Sequence, residues 1–161
     1  MSDDSDDSWP EATSPEEAIN ILSETVFEFA DVILNLCLCE EKLHAKKYVN
    51  GTIKPSTKIR VMTGLLKIFS KERLIEHYTN YVLNWKSYID DRNDKFFLEN
   101  DHIYPKAPKE DIEFFRNLWR EESDFHLNPE EKETVYEYFD TMIHYCQEWK
   151  NMTGFKAKWQ E

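Results

Sequence analysis

The chain is 161 residues long, carries a formal net charge of -12 at pH 7 and has only three glycines, Gly51, Gly64 and Gly154. So few glycines exclude a Walker A loop, a dinucleotide fingerprint and a nucleophile elbow, each of which needs them closely spaced. They also argue against a β-rich fold with its glycine-dependent turns, while Glu, Lys and Leu fill long stretches without a breaker.

Charge is segregated along the chain. Met1 to Glu41 holds twelve acidic residues and no Lys or Arg, whereas the remainder balances at twenty of each sign. Within that remainder, Lys42 to Arg73 carries nine basic residues against the single Glu72. Blocks of this kind favour contact with oppositely charged segments, within a chain or between chains.

Residues 1–13 (MSDDSDDSWPEAT) read as a disordered acidic tail, too poor in apolar surface to offset ordering entropy. Trp9 is the exception, an anchor for a partner or for the domain itself. Ser8 and Ser14 each have Glu three residues on, an acidic context suited to phosphorylation. A single helical domain follows over 14–153, with a short tail at 154–161.

Ser14, Pro15 and Glu17 predict a helix start with a capping box. From there Ile19, Leu22, Val26, Phe29, Ile33, Leu36 and Leu43 form a heptad-like seam, with Ile21, Leu34 and Leu38 widening it toward two neighbours. The helix is expected to reach Tyr48, before Asn50-Gly51. Thr57 to Phe69 reads as a short basic helix with Ile59, Met62, Leu65, Leu66 and Phe69 inward. Ser70 caps a third helix, whose inner face is Leu74, Ile75, Tyr78, Val82, Trp85 and Ile89. Asp90 to Asp94 breaks it, an aromatic turn follows at Lys95 to Leu98, and Asn100 to Pro108 is a loop. Pro108 opens a helix with Ile112, Phe115, Leu118 and Trp119 inward. Asn128-Pro129-Glu130-Glu131 starts the last, with Val135, Phe139, Met142, Cys146 and Trp149 on one face and Gly154 beyond its end. The expected fold is all-α, an elongated bundle of about five helices.

Three cysteines, an odd number, without a secretory hydrophobic segment do not suggest a disulfide framework, and the sequons at Asn50 and Asn151 read as chance matches. Val32 to Cys39 is too short to span a bilayer. The setting expected is cytoplasmic, or a particle assembled there, with no membrane span.

Glu41 and His44 match the Glu-x-x-His spacing of carboxylate-bridged metal bundles, with Cys37 and Cys39 nearby. That chemistry needs a second such pair, and Thr141 stands where its Glu would precede His144. Cys-x-Cys on a helix also points its thiols about 200° apart, poor for one tetrahedral ion. No metal or other cofactor is therefore expected. The remaining histidines have no nucleophile at a recognisable spacing, and no catalytic residue is assigned.

In the C-terminal half, Lys95-Phe96-Phe97-Leu98-Glu99-Asn100, then Phe115-x-x-Leu118-Trp119, then Val135-Tyr136-x-Tyr138-Phe139-x-x-Met142 resembles uncharacterised helical proteins of large double-stranded DNA viruses. The resemblance spans roughly the last 70 residues and carries no catalytic position. It implies a viral protein of cytoplasmic replication, plausible as a minor virion or capsid-associated component. The function expected is a non-enzymatic interaction or structural protein. Its partners are proteins, either virion components or further copies of itself. The contact residues expected are Trp9, Lys46, Lys47, Lys58 and Arg60. The alternative is a nucleic-acid-associated protein using the basic stretch 42–73, against which the acidic pI near 4.9 counts.

Overall fold

The structure, a computed structural model, describes residues 9–49, 51, 53–99 and 109–156. Residues 1–8, 50, 52, 100–108 and 157–161 lie outside that set, and with them the loop expected at Asn100 to Pro108. Among the described residues the fold is all-α without a strand, an elongated bundle built on five helices of eleven residues or more.

Helix α1, Pro15–Leu43, is the axis of the bundle; its 29 residues extend about 43 Å at 1.5 Å each. Ser14 caps it, its Oγ accepting the Glu17 N–H at 3.1 Å. The expected capping box is displaced by one residue: the Glu17 carboxylate takes the N–H and hydroxyl of Thr13 rather than the N–H of Ser14. These bonds hold the Glu17 carboxyl below its ordinary range.

The α-helix also stops short of Tyr48, and the reason is Glu40. Its carboxylate collects Nδ1 of His44 at 3.2 Å, the hydroxyl of Tyr48 at 2.8 Å and Nζ of Lys47 at 2.8 Å. Residues Ala45–Lys47 tighten into a 3-10 turn around it. Burial works to raise the Glu40 carboxyl, but the bonds from Lys47 and Tyr48 and the charges of Lys47 and His44 outweigh it, and it sits low.

Helix α2, Pro55–Leu66, lies against α1. Helix α3, Lys71–Val82, is capped by Ser70 and packs on both α1 and α7, the last helix, Pro129–Thr153. The single helix expected from Ser70 to Ile89 tightens into a 3-10 turn at Leu83–Trp85 before α4, Lys86–Asp90. Arg92 then takes a left-handed conformation, φ 51°, rare for a residue with a side chain. Its guanidinium secures the turn, donating to the Ile89 carbonyl at 2.9 Å and pairing with Glu133 at 2.7 Å and Asp140 at 3.1 Å. The stretch expected as an aromatic turn is instead a short helix, α5, Asp94–Glu99. Helix α6 is Lys109–Trp119.

Helix α7 runs antiparallel to α1: Ala12, just before α1, meets Glu148, and Phe29, further along, meets Tyr138 and Phe139. Its start carries a true capping box, with Asn128 and Glu131 exchanging side-chain and backbone bonds at 2.8 and 2.9 Å. Gly154, φ 73°, ends it in the left-handed conformation that suits a residue without Cβ.

The heptad-like seams of α1 and α7 build the core, through Ile19, Leu22, Val26, Ile33, Val135, Met142, Cys146 and Trp149. Within the same core Phe97 gathers aromatic rings, stacked on Trp119 at 4.5 Å and on Phe139 at 5.7 Å, with Trp85 and Phe96 edge-on and Tyr136 tilted. The Tyr136 hydroxyl donates to Asp94 at 2.6 Å, and Lys132 pairs with the same carboxylate at 2.8 Å.

Candidate partner-binding surface

Of the five residues expected to form one contact surface, Trp9 sits away from the four basic ones, which belong to the turn at the far end of α1 and to α2. Trp9 lies on α7, its ring 5.0 Å from that of His144 and its Nε1–H donating to Thr141 Oγ1 at 2.9 Å. The backbone follows: the Tyr145 hydroxyl donates to the Pro10 carbonyl at 2.7 Å, and the Ala12 N–H to Glu148 at 2.8 Å. Residues 9–13, expected in the tail, are thus strapped to the bundle, and the tail reading falls only on residues outside the described set. Of Trp9's two expected docking sites, partner or domain, the geometry is that of the domain. At the other end of the chain, Phe155 is likewise seated on Trp149, ring to ring at 4.8 Å.

The four basic residues divide into two pairs. Lys47 is committed to Glu40, and Lys58 to Asp111 at 3.4 Å. Lys46 and Arg60 are exposed and make no ion pair among the described residues.

Glu41 and His44, weighed as metal ligands, are held in other roles. Glu41 accepts the N–H and hydroxyl of Ser56 at 2.7 and 2.8 Å, pinning the start of α2, while His44 turns to Glu40. Cys37 and Cys146 are buried, and burial pushes both thiols up to about 12, far from the reactive thiolate. Cys39, one residue pair along α1, is exposed. A cleft of about 370 Å³ beside Trp9 is lined by Lys86, Asp90, Asp140 and His144, but its charges are spent: Lys86 pairs with Asp90 at 2.8 Å and Asp140 with Arg92.

What the sequence reading missed is the outer face of α2. Leu65 and Phe69, expected inward, point out, and Val61 and Ile68 join them. Helix α2 and the turn that follows it, in which Ile68 lies, carry two apolar stripes. Ile59, Met62 and Leu66 face α1; Val61, Leu65 and Ile68, at steps of four and three, face solvent with 58, 57 and 76% of their surface exposed. The first stripe alone satisfies a helix with one neighbour, and the second has no neighbour among the described residues. Its signal in the sequence was the i, i+4, i+7 spacing of Val61, Leu65 and Ile68, on a helix otherwise read as one-sided.

Beside the outer stripe runs Arg60–Gly64–Lys67, also exposed. Gly64 lies in the last turn of α2 with an ordinary φ, and a Cβ there would meet nothing within 4 Å. No contact among the described residues accounts for a glycine here, a residue that weakens a helix interior by about 0.5–1 kcal/mol relative to alanine. Arg60 and Lys67 make no ion pair among the described residues, and Arg73, over the Phe69 ring at 5.8 Å, extends the basic margin. Among the described residues no helix is long and apolar enough to cross a membrane. Comparison with protein-family models, curated proteins and solved structures finds no match to this chain.

Proposed function

We propose that the protein is a non-enzymatic interaction module that docks a protein partner on the outer face of α2. The observation that carries this reading is the second apolar stripe, Val61–Leu65–Ile68, bordered by Arg60 and Lys67, which are exposed and make no ion pair among the described residues. Large apolar side chains grouped on one exposed helix face, rimmed by cations, are the composition of a binding surface rather than of scattered surface residues. Glu41 and His44 are engaged in structural bonds and Cys37 and Cys146 are buried, which supports an interaction role over catalysis. The particle setting implied by the viral resemblance is compatible with such a module and belongs to the same proposal.

Nucleic acid is the competing occupant, because the same face is basic. Yet half of the basic residues singled out, Lys47 and Lys58, are neutralised by Glu40 and Asp111, and Leu65 and Ile68 offer nothing to a phosphate backbone. The test is a photo-crosslinking side chain placed at position 65, with a control at the exposed Glu137 on α7, activated in the source cells. The reading expects an adduct at 65, absent at 137, that a protease removes and a nuclease leaves intact. A nuclease-sensitive adduct, or equal capture at both positions, refutes it.

A further inference from the structure

The structure assigns the α2 face a specific kind of partner: an acidic amphipathic helix, lying across α2 with its closest approach at Gly64. This rests on the docking role proposed above and adds the partner's chemistry. Three features of α2 and the turn that follows it specify it. The stripe Val61–Leu65–Ile68, its first two residues in α2 and the third in the turn beyond, supplies an apolar ridge against which a second helix can set its own. Gly64, exposed and uncontacted, leaves a notch beside that ridge where a partner backbone can come close. Arg60 and Lys67 stand one turn to either side of the notch, both exposed and unpaired among the described residues. Carboxylates flanking the partner's apolar stripe meet them there.

The alternatives fit less well. A second copy of α2 brings the same cations into opposition, so self-pairing through this face sets like charges together. A lipid surface uses apolar side chains and cations but has no use for a notch in the ridge. The acidic balance of the chain outside 42–73 repels any anionic sheet much larger than the face itself.

The experiment uses the full chain and a displayed library of 18-residue helices. All share one leucine stripe, and the positions flanking it vary among Glu, Lys, Gln and Ser. Selection is expected to enrich Glu at the flanks. The enriched peptide then shifts the backbone amide resonances of residues 60–68 and leaves those of α7 in place. Gly64→Leu fills the notch and weakens that binding at least tenfold without lowering the thermal midpoint. Arg60→Glu combined with Lys67→Glu turns the selection toward Lys. Enrichment indifferent to charge, no enrichment, resonance shifts away from α2, or unchanged binding by Gly64→Leu each overturn the inference. So does tighter binding of phosphatidylserine vesicles or duplex DNA to the same resonances, or a dimer that Leu65→Glu dissolves. The adduct at position 65 judges the docking role separately: if it holds a protein that is not an acidic helix, docking stands and this inference falls.

Discussion

Helices α2 and α7 both pack on α1, yet they dispose of their apolar side chains in opposite ways. Helix α7 is enclosed by α1, α3 and α4, and Val135, Tyr136, Met142, Ile143, Cys146 and Trp149 are all buried. Helix α2 has α1 as its chief neighbour and buries only Pro55, Ser56 and Ile59. Both sequences look amphipathic. What differs is the number of sides on which a neighbour arrives, and that is a property of the whole chain. A helix with apolar residues on more than one side is a core element where neighbours exist and a surface for others where they do not.

The contrast sets an order of effects. Phe97→Ala, at the centre of the rings around α7, is expected to cost about 3–5 kcal/mol, seen as a fall in the urea midpoint. Acid is the next lever. Glu40, against Lys47, Tyr48 and His44, and Glu133, against Arg92, both sit below the ordinary carboxyl range. A lowered folded value means that this stability is complete above the unfolded value, about 4.3, and is lost as pH falls through the lower folded one. Unfolding midpoints measured between pH 6 and pH 3 are expected to fall in that window, and Glu40→Gln to flatten part of the fall. Gly64→Ala, by contrast, is expected to raise stability by about 0.5–1 kcal/mol, since the added methyl meets only solvent. A loss would mean that the notch is occupied within the chain. Smallest of all, Leu65→Ser is expected to change stability by less than about 0.5 kcal/mol. A drop as large as that of Phe97→Ala would erase the distinction between the two helices.

Local chemistry made much of this legible. The caps at Ser14, Ser70 and Asn128, the proline at each of two helix starts, and the stop at Gly154 are read from one or two residues and their neighbours. The α1 and α7 seams were visible as well, because a period carried through 25 or more residues is hard to mistake. Other features depend on side chains that meet across the fold. The early stop of α1 follows from a carboxylate gathering residues up to eight positions on. Lys95 to Leu98 looked like a turn because aromatic residues carry little helical preference. They form α5 with Phe96 and Phe97 buried in the ring cluster. The surface was the least legible part. Lys47 and Lys58 look as available as Lys46 and Arg60 until Glu40 and Asp111 arrive beside them, and Leu65 looks like core until α2 is seen to have one face too many.

The cysteines also have a use at the bench. With Cys37 and Cys146 sealed in the interior and Cys39 on the surface of α1, the folded chain offers a thiol reagent one address. A maleimide dye or spin probe is expected to attach once to the native protein and three times after denaturation, a ratio readable by mass spectrometry. The unaltered chain thus carries its own attachment point on the helix that α2 packs against. Partner arrival can be followed from there without placing a foreign residue anywhere in the sequence.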